Sequence, residues 1–133
     1  TLTRAGFQVS LFEQAFETAL DAADIVLSRT STSIEFAVLG GVPTIAYLNK
    51  YPAEIIERLD YLRDPVTVKA FDVDALREAL AGFHPQSRVA TLNSYSARRD
   101  AYLAEYFPGR GLATEYVAAL IAGSALPVDP GIV

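Results

Sequence analysis

An α/β fold built on a mostly parallel sheet is what this sequence predicts, and three observations carry the prediction. Short apolar runs, Ile25-Val26-Leu27 and Pro43-Thr44-Ile45-Ala46-Tyr47-Leu48, alternate with segments of helical periodicity. A short run without polar alternation reads as a strand covered on both faces, as parallel strands are. The stretch between the two runs ends at Gly40-Gly41, a natural helix stop. Strand, loop, helix, glycine and strand in close succession make a βαβ unit, whose crossover is expected to be right-handed.

The elements follow in order. Phe7, Val9 and Leu11 alternate with Gln8 and Ser10 and predict a short strand. Phe16, Ala19, Leu20 and Ala23 share one helical face. Ile25–Leu27 is the first buried strand, and Ser28-Arg29-Thr30-Ser31-Thr32-Ser33 interrupts the apolar pattern before a helix over Ile34–Leu39. Pro43–Leu48 is the second buried strand. Past Tyr51-Pro52 a helix is expected over 53–62, with Ile55, Ile56 and Leu59 inward, until Asp64-Pro65 breaks it. Val66–Phe71 is a further strand. Asp72 or Asp74 can cap the helix carrying Leu76, Ala79 and Leu80, which Gly82 and Pro85 close. A long helix is expected over 88–106, with Val89, Leu92, Tyr95, Tyr102 and Tyr106 recurring near helical spacing; these tyrosines read as core. Phe107-Pro108-Gly109-Arg110-Gly111 is a turn. Ala113, Tyr116, Val117, Leu120 and Ile121 mark a final helix. Residues 1–126 form one domain in this reading, and 127–133, with Pro127, Pro130 and Gly131, a loose tail.

Composition narrows the function. The chain has 133 residues, 51% of them hydrophobic, which is one domain with enough apolar material for a core. Its net charge of −5 argues against a sequence-independent grip on nucleic acid. There is no cysteine, so disulfides, thiol chemistry and Cys-based metal sites are excluded. His84 is the single histidine and reads as structural or exposed. Arg98 and Arg99 read as part of a solvated helix face. So do Asp21, Glu54, Glu57 and Arg58 as surface positions. No signal peptide and no membrane-spanning run is present, which leads us to expect a cytoplasmic setting. The absence of Met, even at position 1, fits a fragment or a processed product.

In an open parallel sheet, ligands sit at the carboxyl ends of the strands. That rule points to the loops after Leu27 and after Leu48. The first holds five small hydroxyl residues, Ser28, Thr30, Ser31, Thr32 and Ser33, with Arg29 among them. Helix N-termini leave N–H groups unpaired and favour anions, hydroxyls donate hydrogen bonds, and a guanidinium is a planar charged donor. The loop therefore reads either as a phosphate cradle or as simple N-capping, for which one of the five suffices. Glu35, between Ile34 and Phe36, can accept both hydroxyls of a ribose with its two oxygens, or it can be a capping-box partner near the helix start. In the second loop Asn49 and Lys50 can touch a sugar or nucleotide; a solvated loop is the other reading. No Gly-rich dinucleotide loop and no Walker-type lysine loop occurs.

The stretch from Ala23-Asp24-Ile25-Val26-Leu27-Ser28-Arg29-Thr30-Ser31-Thr32-Ser33 through Glu35 to Gly41-Val42-Pro43 resembles the donor site of the GT-B glycosyltransferase superfamily. Similar stretches occur in N-acetylglucosaminyltransferases of cell-wall synthesis, lipid-A-disaccharide synthases, CDP-glycerol glycerophosphotransferases and capsule transferases. UDP-N-acetylglucosamine 2-epimerases share the fold. Gly109-Arg110-Gly111-Leu112-Ala113 before the last helix is similar to the closing turn of several such proteins.

The resemblance implies a Rossmann-like three-layer α/β/α domain, the C-terminal half of a GT-B fold, closed by C-terminal helices. It implies that Thr30, Ser31 and Thr32 hold the donor diphosphate and that Glu35 holds the ribose; Ser28 and Arg29 join the diphosphate site through the phosphate-cradle reading of the loop. The substrate is then a nucleotide sugar or a relative such as CDP-glycerol, and the acceptor a glycan or a lipid-linked group at the inner membrane face. No metal or other cofactor is expected. A missing N-terminal domain or a homo-oligomer would complete the enzyme and supply the catalytic base, for which no residue here stands out. Retaining members often carry two glutamates eight residues apart; Leu27 and Pro43 stand eight before and eight after Glu35, so an inverting reaction is expected. A 2-epimerase and a non-catalytic nucleotide- or protein-binding domain are the other readings.

Overall fold

A computed structural model describes residues 2–4, 7–13, 15–108 and 113–123. Twelve elements are built from them. A hairpin, β1 (Leu2–Arg4) and β2 (Phe7–Val9), pairs antiparallel. Then come α1 (Phe16–Ala22), β3 (Val26–Ser28), α2 (Ser33–Gly40), β4 (Thr44–Tyr47), α3 (Ala53–Arg58), α4 (Asp60–Arg63), β5 (Val68–Ala70), α5 (Val73–Ala81), α6 (Arg88–Tyr106) and α7 (Ala113–Ala122). The main sheet has the order β3-β4-β5 and is parallel throughout, with Leu27 opposite Ile45 and Ile45 opposite Val68. The protein is thus α/β with a small, open, all-parallel sheet.

The central strand behaves as its sequence predicts. Thr44, Ile45 and Ala46 of β4 are all buried, so both faces are covered. The Thr44 hydroxyl donates to Thr67 Oγ1 at 3.3 Å, which satisfies two polar groups in the interior. β3 departs from expectation. It is an edge strand, and Leu27 on it is 52% exposed instead of buried on both faces. An apolar run signals burial but does not say whether a second neighbour exists.

The α2 helix ends as its glycines predict. Gly41 adopts φ 80°, a left-handed conformation that a Cβ would strain. Gly41 N–H donates to Val38 O and Val42 N–H to Ala37 O, the Schellman pattern. Arg99 of α6 completes this end. Its Nε donates to Val38 O at 2.7 Å and its Nη2 to Leu39 O at 2.8 Å, so Arg99 is a structural cap and not a solvated surface group. Tyr95 one turn earlier donates to Val42 O. These bonds tie α6 to the βαβ unit.

The core gathers Ile34 and Val38 of α2, Ala46 of β4, Leu48, Ile56, Tyr61, Leu62, Val66, and Tyr95, Tyr102 and Leu103 of α6. Three sequence expectations change here. The single helix over 53–62 is two short ones, because Leu59 is extended at φ −109°, ψ 113°. The break lets Ile56, Tyr61 and Leu62 all reach the core, which one straight helix would not align; Ile55 stays exposed. Val89 lies outside the core and is exposed, so the buried face of α6 begins later. In α7 the apolar stripe has no cover among the described residues: Val117, Leu120 and Ile121 are all exposed, Ile121 at 82%. Asp72 is the cap of α5, its Oδ1 accepting from Ala75 N–H at 2.7 Å. The 109–112 turn and the 127–133 tail lie outside the described residues. Among the described residues no helix is long and apolar enough to cross a membrane.

The buried tyrosines predict how stability depends on pH. Burial pushes the Tyr102 phenol up, with the charges of Glu35, Asp60 and Asp64 adding to it. Burial also raises Tyr95 and Tyr61. An unfolded tyrosine titrates near about 10, so above that pH the unfolded chain loses protons that the folded chain keeps, and stability falls. Lys69, half-buried against the carbonyls of Asp64 and Thr67, is shifted the other way by burial. Its charged form is penalised at neutral pH, so it returns a little stability as pH rises towards its ordinary value. Three phenols outweigh one amine. The urea midpoint is expected to be flat across neutral pH and to drop steadily above about pH 10. A Tyr102→Phe variant should drop less steeply, and equal slopes for both proteins would contradict the assignment.

Candidate functional site

Because β3 and β4 run parallel, the loops that leave them emerge on the same edge of the sheet. The loop after Ser28 and the loop after Tyr47 are therefore neighbours, and several bonds join them. The Arg29 Nη2 donates to Asn49 O at 3.0 Å, and the Arg29 guanidinium lies over the Tyr51 ring, 4.7 Å from its centroid. Thr30 Oγ1 and the Tyr51 hydroxyl share a hydrogen bond at 3.1 Å. The Tyr61 hydroxyl donates to Thr30 O, also at 3.1 Å.

The second loop is a tight turn. Tyr51 N–H donates to Leu48 O at 3.0 Å, and Lys50 at the third position has φ 61°. A turn with positive φ at that position alone is of type II, where glycine or asparagine is the easy choice. Among the described residues Lys50 is the one non-glycine with positive φ. A lysine is held there at a local cost of about 1 kcal/mol.

The turn, with Arg29 of the first loop, borders an open cleft of about 390 Å³ lined by Arg29, Tyr47, Asn49, Lys50, Tyr51 and Pro52. That volume suits a small polar ligand. The lining has two cations and no carboxylate. The three ion pairs among the described residues, Arg63–Asp60, Arg77–Asp74 and Arg88–Asp24, leave both Arg29 and Lys50 out. A chain of net charge −5 thus presents a local positive site.

The residues singled out from sequence divide into two groups. Arg29, Asn49 and Lys50 come together in the cleft lining. Ser28 ends β3, Thr30, Ser31 and Thr32 follow in the loop and Glu35 lies in the first turn of α2; none of the five lines the cleft, and Thr30 is bonded to its Tyr51. Ser31 Oγ accepts from Ser33 N–H at 3.1 Å, an ST turn at the entry to α2, while keeping its own proton to donate. Ser28 Oγ and Ser33 Oγ are 3.4 Å apart. Thr32 holds the N-cap position without a side-chain cap bond and is exposed. Glu35, half-buried in the first turn of α2, lies within electrostatic reach of Tyr61 and Tyr102, whose phenols its charge helps to hold neutral.

Sequence reasoning gave no role to the two tyrosines that fix the first loop. Tyr51 carried a signal, an aromatic directly after Lys50 at a strand's carboxyl end. Tyr61 carried none, because only the break at Leu59 turns it towards Thr30. His84 is exposed and lines a separate, apolar groove of about 600 Å³ with Val73, Leu76, Arg77, Leu80 and Ala81. Among the described residues no group of three or more His, Asp or Glu side chains comes together as a metal site. Comparison with protein-family models, with curated proteins and with solved structures finds no match.

Proposed function

We propose that this chain binds the diphosphate of an activated nucleotide and serves as the donor-binding half of an inverting glycosyltransferase of the GT-B kind, in a Rossmann-like three-layer domain. The observation that supports the reading most is the juxtaposition of Arg29 and Lys50 in one cleft beside the start of α2, at the carboxyl edge of a parallel sheet. The guanidinium offers a planar fork to phosphate oxygens, Lys50 a point charge, and the hydroxyls of Thr30, Ser31 and Thr32 short-range donors.

In glycosyl transfer the bond from the sugar's anomeric carbon to the diphosphate oxygen breaks, and that oxygen takes the electron pair. Negative charge grows on the diphosphate as it leaves. Fixed cations and a helix N-terminus already in place stabilise that charge without reorganising, which lowers the barrier. The acceptor hydroxyl needs a base. The cleft lining holds neither a carboxylate nor an imidazole, so in this reading the base comes from a further domain or a second copy. Glu35 is assigned to the ribose by resemblance alone.

Calorimetric titration with UDP, CDP, CMP and ADP tests the proposal, beside Ser31→Ala and Glu35→Ala. Micromolar to millimolar binding of one pyrimidine nucleoside diphosphate, roughly −4 to −8 kcal/mol, is expected, with CMP weaker and both variants impaired. No binding of any nucleotide by the folded chain would leave the hydroxyl loop as a helix cap and favour a protein-binding role. Epimerisation of a nucleotide sugar without acceptor would point to the 2-epimerase reading.

A further inference from the structure

Two adjacent residues of the first loop, Arg29 and Thr30, are both held by one side chain of the second. The Tyr51 ring carries the Arg29 guanidinium on its face at 4.7 Å, and the Tyr51 hydroxyl meets Thr30 Oγ1 at 3.1 Å. We propose that Tyr51 is a positioning residue that sets Arg29 and Thr30 for an incoming diphosphate. The inference rests on the donor-site reading above.

Three features make Tyr51 suited to this. Its ring packs against the core cluster, so its own position is fixed by the interior. Its backbone closes the type II turn through Leu48 O, which ties ring and Lys50 to one rigid unit. The Arg29 Nη2 bond to Asn49 O, in the same turn, holds the far end of the guanidinium. Arg29 is otherwise an exposed, long side chain on an irregular loop, and ordering it at the moment of binding would cost affinity. A guanidinium held over a ring face keeps the N–H groups that Asn49 O does not take free to point at an anion, because the ring meets its flat side. Tyr51 thus removes part of the ordering cost in advance and leaves the donors open. Its hydroxyl steadies Thr30, whose carbonyl is fixed from the other side by Tyr61.

Two variants separate the two contacts. Tyr51→Phe keeps the stack and loses the hydroxyl bond; Tyr51→Leu loses both. With UDP and with inorganic pyrophosphate as probes, Tyr51→Phe should weaken binding about threefold and Tyr51→Leu on the order of tenfold. The second readout needs no ligand. In free wild-type protein the Arg29 Hδ protons should be shifted upfield by the Tyr51 ring current and the Nε–H group should be ordered. Tyr51→Phe should retain both signatures and Tyr51→Leu should lose them, while amide signals of β4, α2 and α6 stay in place. Wild-type Arg29 signals at free-arginine positions would overturn the inference even if Tyr51→Leu does not fold. Equal affinity of Tyr51→Leu and wild type would also overturn it and leave the donor-site reading standing. Failure of the wild type to bind either probe would overturn both.

Discussion

Replacing Tyr102 with alanine is expected to destabilise the protein by about 3–5 kcal/mol, roughly a fifth or more of the 5–15 kcal/mol that folded domains commonly have. Tyr102 is the largest fully buried side chain, and its ring meets Tyr106 at 4.8 Å and Phe107 at 6.0 Å, both tilted. Truncation removes that apolar area and leaves a void that α6 and α4 cannot easily close, since Arg99 and Tyr95 tie α6 to α2 and the Val42 carbonyl. The tilted ring contacts add about 0.5–1.5 kcal/mol beyond area. Tyr102→Phe keeps the ring, and no hydrogen bond of its hydroxyl exists among the described residues, so that variant should stay within about 1 kcal/mol of wild type. Urea unfolding measures both. The midpoint should fall by more than about 1 M for the alanine variant with an unchanged slope. A loss below about 1 kcal/mol would mean that α6 does not close the core as described.

The second large effect falls on ligand binding. Arg29→Ala should weaken nucleoside diphosphate binding on the order of 10- to 100-fold, because hydrogen bonds to charged groups contribute about 1.5–3 kcal/mol and the fork makes more than one. Lys50 allows a cleaner experiment. At φ 61° glycine relieves strain, so Lys50→Gly should be neutral or up to about 1 kcal/mol more stable while losing the cleft's second charge. Affinity should drop about fivefold, more at low salt than at high. Weaker binding by a more stable protein cannot be ascribed to misfolding. Unchanged affinity in both variants would remove the cleft from the account.

What was legible in the sequence was the local pattern. The βαβ unit around residues 26–47, the Gly41 stop, a cap at Asp72 or Asp74 and the full span of α6 all follow from periodicity, glycine and capping chemistry acting over a few residues. What depended on neighbours in space was not legible. Leu27 reads as buried, yet among the described residues its strand has one partner. Val117 and Ile121 read as a core face, yet nothing described covers them. Arg99 reads as a surface charge, yet the chain brings it to the carbonyls of α2 some 60 residues back. The site shows the same division. Topology alone placed the loops of Arg29 and Lys50 together, while the stacking of Arg29 on Tyr51 depends on a turn whose strained residue is a lysine and not the glycine that would have announced it.

The central claim, that the carboxyl edge of this sheet holds a diphosphate, is tested most directly by mapping amide shifts of the labelled chain during titration with UDP and, separately, inorganic pyrophosphate. The account predicts that both ligands move the amides of residues 28–33 and 49–51, saturate, and leave residues 73–84 around the apolar groove in place. Shifts confined to the apolar groove, or none at all in a folded chain, would contradict it.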